Sequence, residues 1–266
     1  MAESRFAANV IVPDWPAPPR VFALTTTRML PGNSRPPYDA FNLGLRSGED
    51  ESTVRANRAL LERAFNLPAS PRWLQQVHGV DVAEFDCHFQ AFGQIPPQAG
   101  EARADAAFTS TPGVVLAIQT ADCLAVLLCA DDGTEVAAIH AGWRGLACGV
   151  IEACVRQLAT PASRLLAWLG PAIGPTSYEV GEEVRTAFVA RDAAAETAFT
   201  ATRPGHWNCD LYALARRRLT ALGVTGIHGG GFDTLADPRF YSYRRDGARS
   251  GRMASLIWLK TTADSA

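Results

Sequence analysis

VVLAIQTADCLAVLLCADDGTEVAAIH, running from Val114 to His140, is the most apolar part of the chain and decides its fold. Val114–Ile118, Leu124–Cys129 and Val136–Ile139 read as three buried strands, with Asp131-Asp132-Gly133 as a turn. On the C-terminal side, Leu146–Leu158 carries an inner stripe of Leu146, Val150, Ile151, Cys154, Val155 and Leu158, the pattern of one helix. Leu165–Leu169 is a further strand, and Gly170–Pro175 must be a loop. Helices are expected over Glu182–Ala190 and Leu211–Leu222, the second capped by Asp210, and a last strand over Ser255–Lys260 follows a basic loop, Tyr243–Arg252. On the N-terminal side, Val21–Thr25 is a short strand between proline clusters, and Glu51–Leu67 is a helix with Val54, Leu61 and Phe65 on one face and Pro68 ending it. Trp73–Val77 and Val80–Phe85 have strand character, and Gln90–Arg103 is a surface loop. Strands and helices mix without a strict βαβ rhythm. The expected fold is therefore α+β, a single domain over residues 1–266, built as an α/β/β/α-type sandwich with mixed sheets.

Composition narrows the function classes. The 266 residues are 47% hydrophobic and 20% charged, which suits a globular chain that can bury a large core. A net charge of −2 gives no broad basic surface for nucleic acid. The best candidate membrane span, Val114–Ala130, is broken by Gln119, Thr120 and Asp122. The N-terminus has no basic region followed by an apolar run, so no secretory signal is expected. The cysteines Cys87, Cys123, Cys129, Cys148, Cys154 and Cys209 form no CxxC pair and no dense disulfide pattern, which points to a reducing cytoplasm.

Two of the five histidines, His78 and His140, stand where strand-like runs meet glycine, in Gln75–Gly79 and Ile139–Gly145. Between them Thr120-Ala-Asp-Cys-Leu124 interrupts two apolar runs with polar residues. Two imidazoles and a thiolate are a tetrahedral zinc set with one open position. The spacings of 45 and 17 residues leave the alternative that Cys123 is a core cysteine and both histidines are hydrogen-bonded strand ends.

Further motifs stand at Ile11–Trp15, Pro37–Gly44, Asn57-Arg58, Gln76–Gly79, Ala104–Ala106, Thr120–Cys123, His140–Gly145, Gly170–Pro175, Tyr178–Gly181, Tyr241–Gly247 and Gly251-Arg252. Through them the chain closely resembles the family variously called laccase-domain or polyphenol-oxidase proteins, purine nucleoside phosphorylases and the peptidoglycan editing factor. The resemblance implies zinc on His78, Cys123 and His140. It also implies phosphorolysis of purine nucleosides (adenosine, inosine, guanosine, methylthioadenosine), with adenosine deamination as a second activity. The expected small-molecule partners are then purine nucleosides and phosphate. Monomer and homodimer both fit the sequence.

Phosphorolysis needs an anion site, for which a planar guanidinium is the best clamp. Arg58 is the first candidate, on the helix beginning near Glu51; Arg28, Arg144 and Arg244 follow, each with a structural ion pair as its alternative. Asn42 is a candidate for ribose or for orienting a ligand, or else turn chemistry before Leu43-Gly44. Asp122 is a candidate acid–base group, or a residue that orients a metal-bound histidine. The chain departs from the family pattern at Asp233-Thr234, where members often carry Cys-Thr. It departs again at Leu45-Arg46-Ser47, where many have His or Cys, so no auxiliary ligand is expected there. His88, His206 and His228 read as surface or loop residues.

Three other readings compete. Copper suits a His2Cys set, but a four-copper laccase uses about ten histidines against the five present. Cys123 could act as a nucleophile with His140 as base, giving a hydrolase or deamidase; the family fold is thought to be similar to that of a cysteine-dependent toxin deamidase. A cell-wall-precursor editing factor with a structural zinc would need a fourth protein ligand.

Overall fold

The structure, a computed structural model, describes residues 8–86 and 100–261. One sheet runs in the order β1 (Val10–Ile11), β2 (Val21–Thr26), β13 (Met253–Leu259), β5 (Val115–Thr120), with every neighbour antiparallel. A second runs β12 (Gly226–Gly229), β8 (Leu165–Leu169), β6 (Leu124–Ala130), β7 (Val136–Ala141), β4 (Ala106–Thr109), β3 (Val82–Glu84). Its two outer pairs are parallel and its inner pairs antiparallel, so the sheet is mixed as expected. A small antiparallel sheet of β10 (Phe199–Arg203), β11 (His206–Cys209) and β9 (Glu179–Gly181) lies apart from both. The helices are α1 (Glu51–Ala64), α2 (Trp143–Cys148), α3 (Val150–Val155), α4 (Glu182–Val189), α5 (Leu211–Ala221) and α6 (Tyr243–Asp246).

Side-chain alternation on the central strands sets the layers. On β5, Leu116 and Ile118 point into the space between the two large sheets, where they join Leu127, Cys129, Trp168 and Ile257. Val115 and Ala117 point the other way, toward Leu61 of α1. On β6, Ala125, Leu127 and Cys129 fill the inter-sheet layer, while Leu124, Val126 and Leu128 pack beneath Leu146, Ile151 and Leu214 of the helices. The α/β/β/α sandwich follows directly. A strand buried on both faces has no polar side to alternate with, which is why Leu124–Ala130 reads as an unbroken apolar run. Burying each such leucine contributes about 1.5–3 kcal/mol.

Several local expectations need correction. The single helix over Leu146–Leu158 is two short helices, because Gly149 adopts φ +99° and both ends α2 and starts α3. Trp73–Val77 forms no strand; Arg72 and Leu74 make isolated bridges to Leu116 and Ala102. The loop Tyr243–Arg252 contains α6 and a 3-10 turn. His206 and His228 belong to β11 and β12. The Asp210 cap is present, its side chain accepting from Ala213 N at 2.9 Å. His88 and most of the expected loop Gln90–Arg103 lie outside the described residues.

Candidate functional site

Residues Ala121–Cys123 carry the chain from β5 in one sheet to β6 in the other. Cys123 therefore sits at the crossing between sheets. His140 lies on β7, paired across the ladder with Ala125. His78 follows Gln76, whose amide pairs in both directions with the Gln119 backbone at 2.8 Å, pinning this segment to the end of β5. His78 (φ +61°) and Asp122 (φ +85°) both hold left-handed backbone conformations. Such strain in non-glycine residues persists only where surrounding bonds over-determine it, and it clusters at functional sites. Asp122 is fixed in this way: its Oδ1 accepts from Thr234 Oγ1 at 2.7 Å and its Oδ2 from the Arg244 amide at 2.6 Å.

A second, fully buried carboxylate organises the three expected ligands. Asp105 accepts from the backbone N–H groups of Val77, His78 and Gly79 and from His140 Nδ1 at 2.9 Å. That bond assigns the Nδ1 proton and leaves His140 Nε2 as the free donor atom. Burial pushes the Asp105 carboxyl up, but the bonds from His140 and the amides outweigh it and hold the group below the usual carboxylate range.

The donor atoms of His78, Cys123 and His140 all lie within 4.8 Å of one another, with Cys123 Sγ 3.8 Å from His78 Nε2. The two imidazoles meet nearly edge to face, at 73°. Bonds of about 2.0 Å to nitrogen and 2.3 Å to sulfur space tetrahedral ligand atoms at about 3.5 Å, so this set fits one ion. Close approach requires Gly142, since a Cβ there would lie 2.9 Å from Cys123 Sγ and 3.0 Å from His78 Cδ2. Burial raises the Cys123 thiol, but His140 and His78 more than reverse this and bring it to about 6. Burial lowers His140, while the Cys123 thiolate and Asp105 raise it further, to about 9.

The cluster opens into a cavity of about 540 Å3. Trp143, Tyr178 and Tyr243 give it aromatic walls, and Arg46, Arg144, Arg244 and Arg252 give it positive charge. Asp122 is the one carboxylate among the described lining residues, and both of its oxygens are engaged. Arg144 lies over the Trp143 ring at 4.4 Å, and Arg244 over Tyr178 at 5.2 Å. Among the described residues neither guanidinium pairs with a carboxylate. A cavity that concentrates positive charge in a chain of net charge −2 draws anions.

The structure thus brings together His78, Cys123 and His140 and lines their cavity with Asp122, Arg144 and Arg244. Arg58, Asn42 and Arg28 do not line it. Arg58 stacks on Trp73 at 3.9 Å, donates to Leu43 O and pairs with Glu101. Asn42 ties its own segment together, its Oδ1 accepting from the amides of Gly44 and Arg252. Arg28 pairs with Asp39 and lies over Tyr241. Asp122 bonds Thr234 and Arg244; the carboxylate that orients a histidine is Asp105. Asp233 accepts from the Gly174 amide and Ser177 Oγ, and so shapes the loop after β8. Asp105, Arg46 and Arg252 were not among the sequence candidates. Asp105 had a signal, a lone acid within the apolar run Ala104–Phe108. Arg252 had one in the motif Gly251-Arg252, whereas Arg46 had none, because its reach depends on the fold.

The sequence profile of the family described as multi-copper polyphenol oxidoreductase laccase matches residues 22–260. The chain is 51% identical over 261 residues to the purine nucleoside phosphorylase of Xylella fastidiosa strain 9a5c, covering 96% of this chain and 98% of that protein. It is 50% identical over 253 residues to purine nucleoside phosphorylase YfiH of Escherichia coli K12, covering 95% and 99%. Among solved structures, it resembles Neisseria meningitidis protein NMB0706 of family DUF152, with TM-score 0.86 and 43% identity over 95% of this chain and all of that one. It also resembles YlmD from Geobacillus stearothermophilus, with TM-score 0.79 and 28% identity over 91% and 93%.

Proposed function

The chain belongs to the multi-copper polyphenol oxidoreductase laccase family, and from that premise we propose that it is a purine nucleoside phosphorylase holding one zinc ion. The supporting observation is a single cavity that joins a His2Cys cluster to Arg144 and Arg244, which pair with no carboxylate among the described residues, and to aromatic walls. Among the described residues, His78, Cys123 and His140 are the one group of this kind, which suits one ion rather than a multi-copper set. A zinc ion held there supplies Lewis acidity beside the substrate. Arg144 and Arg244 bind the phosphate, and Trp143, Tyr178 and Tyr243 offer faces on which a purine stacks. A phosphate oxygen attacks the ribose C1′, the bond from C1′ to the base nitrogen breaks, and the base leaves with the proton. Adenosine, inosine, guanosine and methylthioadenosine are the proposed substrates, with adenosine deamination as a side activity. Five cysteines without disulfide partners among the described residues suit a reducing cytoplasm, where we place the protein.

The test is chromatography of the products formed from adenosine with and without phosphate. Adenine together with ribose 1-phosphate, only when phosphate is present, supports the reading. Equal adenine release without phosphate points to hydrolysis, and inosine alone to deamination.

One observation favours a second reading. Asp105, His140 and Cys123 stand in the order of an acid–base–thiol triad, with the thiol already low at about 6. A cysteine hydrolase would lose activity on stoichiometric alkylation of Cys123 while its metal stays bound.

A further inference from the structure

The four cavity guanidiniums fall into two groups. Arg144 and Arg244 also border an adjoining groove of about 360 Å3, with Tyr178, Glu183 and the Arg203–Glu179 ion pair, and Arg244 Nη1 donates to the Glu179 carbonyl at 2.9 Å, whereas Arg46 and Arg252 do not border it. Arg46 and Arg252 are instead tied to the segment around Gly44. Asn42 Oδ1 accepts from the Arg252 amide at 2.8 Å, and a Cβ on Gly44 would lie 2.6 Å from Arg252 Cγ. Beneath them lies a built support. Arg58 is buried on the Trp73 face, donates to Leu43 O at 2.9 Å and pairs with one oxygen of Glu101 at 3.0 Å. The other oxygen of Glu101 takes Arg46 Nη1. One carboxylate between two guanidiniums neutralises only one of them. The surplus charge is presented by Arg46, whose side chain is 57% exposed and lines the cavity. Arg252 adds a second charge: its Nη1 donates to the carbonyls of Ser250 and Gly251, and no carboxylate among the described residues pairs with it.

Two cationic groups in one cavity are more than a single inorganic phosphate requires. Resting on the phosphorylase reading above, we propose that the substrate class extends to nucleosides bearing a 5′-phosphate. Arg46 and Arg252 receive that phosphate monoester while Arg144 and Arg244 hold the inorganic phosphate, and Arg58 and Glu101 are positioning residues for Arg46. A guanidinium fork matches two oxygens of a phosphate monoester. With adenosine 5′-monophosphate, the bond from C1′ to the base breaks and a bond from C1′ to an oxygen of inorganic phosphate forms. Adenine leaves with the proton, and ribose 1,5-bisphosphate remains.

The experiment compares adenosine with adenosine 5′-monophosphate across a range of inorganic phosphate, using the full-length protein and its Arg46→Gln, Arg46→Lys and Arg58→Gln variants. The wild type is expected to use the monophosphate with a kcat/KM at least equal to that for adenosine. Arg46→Gln lowers the monophosphate-to-adenosine ratio of kcat/KM about tenfold, and Arg46→Lys recovers part of it. Arg58→Gln lowers the same ratio, whereas a general loss of packing lowers both substrates alike. If Arg58→Gln does not fold, the Arg46 pair decides. A wild type active on adenosine but inert on the monophosphate overturns the inference and leaves the phosphorylase reading standing. The same holds if Arg46→Gln lowers both substrates equally, or raises the KM for inorganic phosphate instead. A wild type inert on both substrates in the presence of phosphate overturns both.

Discussion

The Asp105 carboxylate and His140 Nδ1 lie 2.9 Å apart, and the same carboxylate gathers the backbone amides that carry His78. One side chain therefore sets both the ring orientation of one candidate ligand and the backbone position of another, although Asp105 does not line the cavity. Replacing Asp105 by Asn removes one acceptor oxygen and permits the wrong His140 tautomer. Such supporting partners typically carry 10–100-fold of metal affinity or activity. Metal content by mass spectrometry and turnover should both fall by about that factor in Asp105→Asn, with the far-UV circular dichroism unchanged.

Gly142→Ala tests the approach of the thiolate and imidazole by volume alone. The glycine has φ −63° and ψ 157°, a conformation open to alanine, so the backbone imposes no penalty. The added methyl would sit 2.9 Å from Cys123 Sγ, where a ligand atom must converge with its partners. The expected outcome is a folded protein that retains less than about a tenth of the wild-type metal, measured by equilibrium dialysis. Full metal occupancy would show that the three donors do not converge there.

The Cys123–His140 pair predicts a stability window in metal-free protein. Cys123 is depressed to about 6, so its contribution is lost as pH falls through that value. His140 is raised to about 9, so its contribution is lost as pH rises through that value. Both signs describe one thiolate–imidazolium pair, intact from about pH 6 to pH 9. The Tm difference between wild type and Cys123→Ser, both stripped of metal, should hold inside that window and shrink as pH falls below about 6, where the Cys123 thiolate takes up a proton. A difference that does not vary with pH would contradict the pair.

Gly149→Ala probes the break between α2 and α3. No atom lies closer than 3.5 Å to the added Cβ, so the cost is conformational. Forcing alanine to φ +99° costs about 1–2 kcal/mol, which lowers Tm by roughly 2–8 °C at this chain length. An unchanged Tm in a thermal scan would mean that the two helices tolerate a continuous backbone.

The same glycine shows where the sequence stops being legible. The apolar stripe from Leu146 to Leu158 continues across Gly149, because both short helices bury the same side against β6 and β7. A hydrophobic pattern reports what is buried and says little about how the backbone bends between buried positions. The central strands were legible for the same reason: their burial is continuous. The strand β10 was not, since Thr200–Arg203 are all exposed and offer one small apolar side chain, Ala201. At the site, the candidates with distinctive chemistry, His78, Cys123 and His140, converge on one cavity. Arg58 was misleading in another way, because a guanidinium can bind a phosphate or hold up a neighbouring loop, and only its seat on Trp73 and Glu101 shows the second role.

Cys123 occupies the strap by which the chain leaves one sheet and enters the next, while His140 belongs wholly to the second sheet. An ion shared between them would act as a rivet through the laminate, resisting the shear of one layer over the other. Delamination and ion escape would then be a single event, and a strong chelator would act on this protein as a denaturant even though its core needs no metal to be apolar.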